Sequence, residues 1–288
     1  MKIRCYGSRG SIPVSGSAYL KYGGDTTCIL VEASSGHHVI FDAGSGICKL
    51  GNLLVKESHD NLSICFTHGH WDHLLGLPFF KPLYLQRFHL DIFGVKLADG
   101  KGIQSTIQGL FTPPYFPIGI DEIKATLHYH LIAVKPFNIG SLRLIPISLN
   151  HPDGGVGYRI EDKGRSFVFL TDNELIDRAY HAGGNYDDFV NLCSGTDLLI
   201  HDAEFTLTEY ETKRGWGHSS YDKAVQLGLD AEVKMVGLFH HNQDRTDAEV
   251  DRIVQMAGPN TRIVDARGRL VGTSHEPASS VLPWPTWK

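Results

Sequence analysis

Short apolar runs recur along the chain, and most of them stop at a polar or glycine-rich turn. The opening segment, Met1 to Gly7, reads as a strand running into a turn. Thr27 to Glu32 alternates into an apolar run, Ser34-Ser35-Gly36 makes a turn, and His38 to Phe41 forms a second strand that ends at Asp42-Ala43-Gly44-Ser45-Gly46. Leu62 to Phe66 is a buried strand delivering the chain into Thr67-His68. From Leu74 to Pro136 the pattern is less regular, with a stiff aromatic loop at Pro113 to Pro117 and helix expected around Asp121 to Ile123.

The second half repeats the strand-then-loop habit with one consistent ending. Ser141 to Ile147 leads to Asn150-His151, Ser166 to Leu170 to Thr171-Asp172, Asp197 to Ile200 to His201-Asp202, and Val233 to Phe239 to His240-His241. Four strands that each run into His or Asp suggest a site assembled from strand ends, where layered α/β folds place their active sites. Helical spacing appears in Ser220 to Leu229 and in Thr246 to Met256, with Thr246 placed to cap the latter. These elements predict an α/β fold, an α/β/β/α sandwich, formed as a single domain over residues 1–288.

Composition narrows the class. Five scattered cysteines without a CxxC pair read as buried free thiols in a reducing compartment. Nothing approaches the roughly 20 apolar residues of a membrane helix, and no secretory apolar stretch opens the chain, so a cytoplasmic protein without membrane contact is expected. The net charge of −5 and the lack of any Lys or Arg run argue against a nucleic-acid grip without excluding a local patch. Histidine is the outlier, with 16 residues.

The chemistry concentrates in His68-Gly69-His70-Trp71-Asp72-His73. After an extended strand, His68 and His70 project to one side and can pinch one metal ion. Asp72 and His73 follow on the turn and can reach a second. Imidazole and carboxylate suit zinc, with manganese, iron and nickel chemically admissible. The competing reading is a surface turn rich in histidine.

This HxHxDH segment resembles the signature of the metallo-β-lactamase-fold superfamily, and the order of motifs resembles it along nearly the whole chain. The resemblance implies a four-layered αβ/βα sandwich with mixed sheets and two divalent ions. His151, ahead of a glycine-rich strand, matches the third histidine, Asp172 the bridging aspartate, and His240 the final histidine, although His241 competes with it. One ion would then be held by His68, His70 and His151, the other by Asp72, His73 and His240, with Asp172 between them. Asp42 is expected to accept a hydrogen bond from a ligand imidazole.

A second stretch is similar to the phosphodiesterase branch of that superfamily, which includes the transfer-RNA 3′-end endonucleases (RNase Z) and cyclic phosphodiesterases. It comprises Ile200-His201-Asp202-Ala203-Glu204-Phe205, then Gly217-His218-Ser219-Ser220 before a helix. Asp202 stands where the endonucleases have glutamate, and Ser220 where they have threonine. An Asp202-held His218 can protonate a departing alkoxide or hold a phosphate oxygen; alternatively Ser219 or Ser220 caps the helix and His218 only packs. Catalysis is expected from Asp72, Asp202 and His218. The expected reaction is hydrolysis of a small phosphodiester, a cyclic nucleotide foremost, because no arm like that of RNase Z is recognisable. An RNase Z-like nuclease and an inactive metal-binding regulator are the alternatives, and a homodimer is compatible with the sequence. Tyr115-Phe116-Pro117 is a candidate wall for the base, Arg245 for phosphate contact or a solvated role, and His128 and His130 for one face of a partly exposed strand.

Overall fold

A computed structural model describes residues 1–96, 100, 102–176, 183–264 and 270–271. The first half builds a six-stranded sheet from β1 (Lys2–Gly7), β2 (Cys28–Glu32), β3 (His38–Phe41), β4 (Asn61–Cys65), β5 (His89–Gly94) and β6 (Thr126–Leu131), with helices α1 (Gly46–Leu54) and α2 (Ile103–Leu110). The second half builds an eight-stranded sheet from β7 (Phe137–Ile139), β8 (Leu142–Ser148), β9 (Val156–Asp162), β10 (Arg165–Leu170), β11 (Leu198–Asp202), β12 (Val236–Phe239), β13 (Thr261–Val264) and β14 (Leu270–Val271). Its helices are α3 (Tyr186–Cys193), α4 (Leu207–Glu211), α5 (Tyr221–Asp230) and α6 (Asp247–Met256).

Three apolar layers explain the stacking. Ile29, Val31, Val39 and Phe41 of the first sheet meet Leu144, Tyr158, Phe167, Phe169 and Ile200 of the second in one core between the sheets. The outer face of the first sheet, with Leu30, Ile40 and Ile64, is covered by Ile47, Leu50 and Leu54 of α1. Those helical positions fall at i, i+3 and i+7, one face of the helix. The outer face of the second sheet, with Val168, Leu199 and Leu238, is covered by Leu227 of α5 and Val250, Ile253 and Val254 of α6. Strands buried on both faces read as continuous apolar runs, as β10 to β12 do. The result is a four-layered sandwich with mixed sheets: β3, β4, β5 and β6 pair in parallel, as do β10 to β13, beside antiparallel neighbours. The C-terminal ends of the parallel strands open at one edge of the sandwich.

The stretch from Leu74 to Pro136 is more regular than its pattern predicts. It contributes β5, α2 and β6, and the residues expected as helix near Asp121 form only a 3₁₀ turn, Ile120–Glu122. The reason is local: β5 and β6 carry Asp91, His89, His128 and His130 at exposed positions, which weakens their apolar signal. His128 and His130 do lie on β6, both exposed, and His130 pairs with Asp91 at 2.7 Å. The five cysteines are free, and all but Cys48 are buried. Among the described residues no helix is long and apolar enough to cross a membrane.

Candidate metal centre

The candidate metal ligands and the Asp202–His218 pair singled out in the sequence come to the edge where the parallel strands end. β4 runs through Phe66-Thr67 into His68, and the turn is fixed by Asp42 at the end of β3. The Asp42 carboxylate accepts from the Thr67 amide (2.8 Å), from the Thr67 hydroxyl (2.8 Å) and from His73 Nδ1 (2.8 Å). That last bond sets the tautomer of His73 and turns its Nε2 toward Asp72 and Asp172. Asp42, Asp172 and His240 all adopt left-handed backbone, with φ of 60°, 50° and 53°. Non-glycine residues hold that conformation at a cost, and the cost gathers here at strand ends.

Two clusters result. In one, ligand atoms of His68, His70, His151 and Asp172 lie within 4.8 Å of one another; in the other, those of Asp72, His73, Asp172 and His240 do. Asp172 belongs to both. His68 Nε2 stands 3.5 Å from Asp172 Oδ2, His151 Nε2 2.9 Å from His70 Nδ1, and His240 Nε2 3.1 Å from Asp72 and 3.3 Å from Asp172. His73 Nε2 is 3.3 Å from Asp72 and 3.2 Å from Asp172. Apart from the half-exposed His70, all of these residues are buried.

The donor set fits cations. His68 Nε2 and His73 Nε2 are buried without a hydrogen-bond partner, although carboxylate oxygens lie close by. Such groups are costly unless something between them uses their lone pairs. Burial and the neighbouring His73 push His68 well below the usual imidazole range, and burial takes His151 down to about 3, so both are neutral donors. Burial alone would raise the Asp172 carboxyl, but His240, His73 and His68 around it hold it well below the ordinary range, as a carboxylate.

A third cluster adjoins the second. Asp202, at the end of β11, accepts from His218 Nδ1 at 2.6 Å and from the Ser219 amide at 3.0 Å. Burial opposes a charge on His218, but Asp202 and Glu204 outweigh it and hold the imidazole up at about 9. The cap of α5 is Ser220, whose side chain accepts from the Lys223 amide, while the Ser219 hydroxyl donates to the Asn173 carbonyl. His218 stacks on His240, with ring centroids 4.8 Å apart, and meets His151 edge-on at 5.1 Å.

The geometry separates His240 from His241. His240 belongs to the second and third clusters, while buried His241 lies beside Arg9 and Arg245, which, after burial itself, push its imidazole well below the usual range. Arg245 is neither solvated nor turned to the site: it is buried and donates to the Glu204 carbonyl and the Glu209 carboxylate. Tyr115 is 84% exposed, and its neighbour Phe116 packs on Phe79 and Phe111.

Several contributors carry no sequence signal. Glu204 accepts from His240 Nδ1 at 3.1 Å and Asn242 at 3.0 Å. The Ser11 amide donates to Asp72 at 2.9 Å, and a side chain at Gly10 would collide with the His240 ring. Asn173 accepts from the Asn150 amide and donates to His201 Nε2, tying three strand ends together. The Gly217 carbonyl accepts from His151 Nδ1 at 3.1 Å. Only Gly10 and the paired glycines of Gly215-Trp216-Gly217 could have hinted at such close approaches.

Comparison with known proteins concerns the family and the fold. The family model described as a beta-lactamase superfamily domain matches residues 37–241. The ribonuclease Z of Thermobifida fusca is 22% identical over 267 residues, spanning 77% of this chain and 80% of that protein. Among solved structures, the metallo-beta-lactamase fold protein YhfI from Bacillus subtilis superposes with a TM-score of 0.68 at 18% identity, covering 92% of this chain and 97% of that one. A diphosphatase from the PhnP family gives a TM-score of 0.65 at 19% identity, covering 92% and 94%.

Proposed function

The chain belongs to the β-lactamase superfamily, and from that premise we propose that it is a dinuclear-metal phosphodiesterase acting on a small substrate, a cyclic nucleotide foremost. The whole chain, residues 1–288, is read as one hydrolase domain. One ion is assigned to His68, His70 and His151 and the other to Asp72, His73 and His240, with Asp172 shared. The imidazole and carboxylate donors suit zinc. A bound pair of such ions supplies Lewis acidity, drawing charge from a phosphate and letting water ionise near neutral pH.

The protein's own groups do the rest. Asp42 and Glu204 orient His73 and His240, and the Gly217 carbonyl orients His151. Asp202 accepts a hydrogen bond from the Nδ1–H of His218 and favours its imidazolium form, whose Nε2–H can protonate the departing alkoxide. That pair, set directly against the metal-type clusters, is the observation that carries the phosphodiesterase reading, because a poor leaving group needs a proton.

The rim supports a small substrate. Residues adjoining the site present Ile12 (52% exposed), Trp71 (61%) and Trp216 (60%), together with the acidic Asp153 near His70. A nuclease gripping transfer RNA needs a basic track instead. The curated relatives named ribonuclease Z favour the RNA alternative, so the test puts the two side by side. Zinc-reconstituted protein is offered cyclic nucleotides and precursor transfer RNA under identical conditions. Turnover of a cyclic nucleotide without a site-specific RNA cut is expected; efficient RNA cleavage with cyclic nucleotides untouched would overturn the choice. A protein that binds both ions yet hydrolyses no diester would be a regulator.

A further inference from the structure

Trp216 is a large apolar side chain left mostly in water, and yet its loop is tied down by several buried hydrogen bonds. It lies between Gly215 and Gly217, both in left-handed backbone with φ of +85° and +87°. The amides of these two glycines donate to the carboxylate of buried Glu174 at 3.0 Å each, and the Tyr210 hydroxyl donates to the same carboxylate at 2.7 Å. Glu174 follows the shared Asp172 by two residues. On the other side of the tryptophan, the Ser219 hydroxyl bonds the Asn173 carbonyl at 2.7 Å and accepts from the Leu175 amide at 2.9 Å. The segments around Asp172 and around Trp216 are thus laced together on both flanks of the indole.

The position of the loop matters as much as its rigidity. A Cβ at Gly217 would sit 2.0 Å from His151 Nδ1, so the backbone beside Trp216 runs directly against a ligand imidazole, and His218 follows at once. Lys213 stands against the indole, its Nζ 5.5 Å from the ring centroid.

We propose that Trp216 is a preset stacking platform for the nucleobase of the substrate, with Glu174 as the residue that fixes its position. This rests on the phosphodiesterase reading above. A loop held in place before binding leaves little backbone freedom to lose when a base stacks on its indole, so the contact is gained at low entropic cost. Stacking of a base on an aromatic side chain is worth on the order of ten- to a hundred-fold in binding.

The test compares zinc-reconstituted full-length protein on 3′,5′-cyclic AMP and on a base-free cyclic diester, glycerol 1,2-cyclic phosphate. Trp216→Ala should raise KM for cyclic AMP by roughly ten- to a hundred-fold, far more than it changes kcat, with less than about a two-fold effect on the base-free diester. Trp216→Phe should recover most of the loss. Glu174→Gln should raise the same KM while retaining both metal equivalents; an unmoved KM would remove Glu174 from the proposal. Equal effects on the two diesters, or none, would overturn the platform. If the unaltered protein turns over neither diester, the phosphodiesterase reading fails by itself. Calorimetric titration of AMP into the metal-loaded protein then decides on Trp216: binding that Trp216→Ala abolishes upholds the platform, and absence of binding overturns it.

Discussion

The two halves of the molecule supply the site in different ways. The first sheet delivers four ligand-type residues within six positions, His68 to His73, and one carboxylate, Asp42, braces the whole turn through three hydrogen bonds. The second sheet delivers His151, Asp172 and His240 one at a time from three strand ends, each braced by a different partner: Gly217, Thr171 and Glu204. A local segment concentrates its dependence on one support. A distributed set spreads it, so that loss of any single brace leaves the others in place. Asp172 is the exception in the second half, since both clusters share it.

The largest expected effect therefore falls on Asp172. Asp172→Ala should reduce the metal content by elemental analysis from two equivalents to one or fewer. Activity should fall well beyond the roughly 10- to 100-fold that loss of a supporting residue costs, while the circular dichroism spectrum is retained. Two tightly held ions and full activity in this variant would show that the clusters do not depend on a shared carboxylate. His218 comes next. His218→Ala should keep both ions and lose on the order of 10²–10⁴ in rate on a diester with an alkoxide leaving group. The deficit should shrink with p-nitrophenolate, which departs without a proton. An equal deficit on both would place His218 in binding or structure.

The same contrast explains what was legible in the sequence. The first-half ligands are close neighbours on one turn after an apolar strand, so periodicity and spacing reveal them together. The second-half histidines and aspartates were visible as strand endings, but only a resemblance selected His240 over its neighbour, because burial beside Arg9 and Arg245 is a tertiary fact. The sandwich layers followed from the doubly buried strands, whereas β5 and β6 escaped notice because their outward positions are polar. Glu204, Asn173 and Glu174 act through hydrogen bonds to partners distant in the chain, and such partners leave no local pattern. Arg245 shows the converse: an isolated arginine in a loop reads as solvated, yet Glu204 and Glu209 draw it inside.

Two bracing residues test the contrast directly. Asp42→Asn and Glu204→Gln should each weaken metal binding by roughly 10- to 100-fold, the usual effect of such partners. Asp42→Asn should also lower Tm more, since its carboxylate holds the Thr67 turn as well as His73, while Glu204 holds His240 and Asn242. Differential scanning calorimetry on the metal-free and loaded forms separates the two contributions. A larger Tm loss in Glu204→Gln would mean that the second half, too, hangs on one brace.

The smallest expected effect is that of salt on substrate binding. On the proposed reading, both halves would meet the substrate's phosphate with buried groups and metal ions, and screening by mobile ions acts weakly on charges removed from water. Affinity built on many surface phosphate contacts behaves differently: a protein making 6–10 of them loses about 10³- to 10⁵-fold between 50 and 200 mM salt. The rim here offers Ile12, Trp71, Trp216 and Asp153, with Lys213 as a nearby cation. One phosphate contact by Lys213 would raise KM for a cyclic nucleotide only a few-fold over that range. Measured at fixed zinc and pH, a steep rise in KM would locate the grip on the surface, and with it a longer, RNA-like substrate reaching beyond the two clusters.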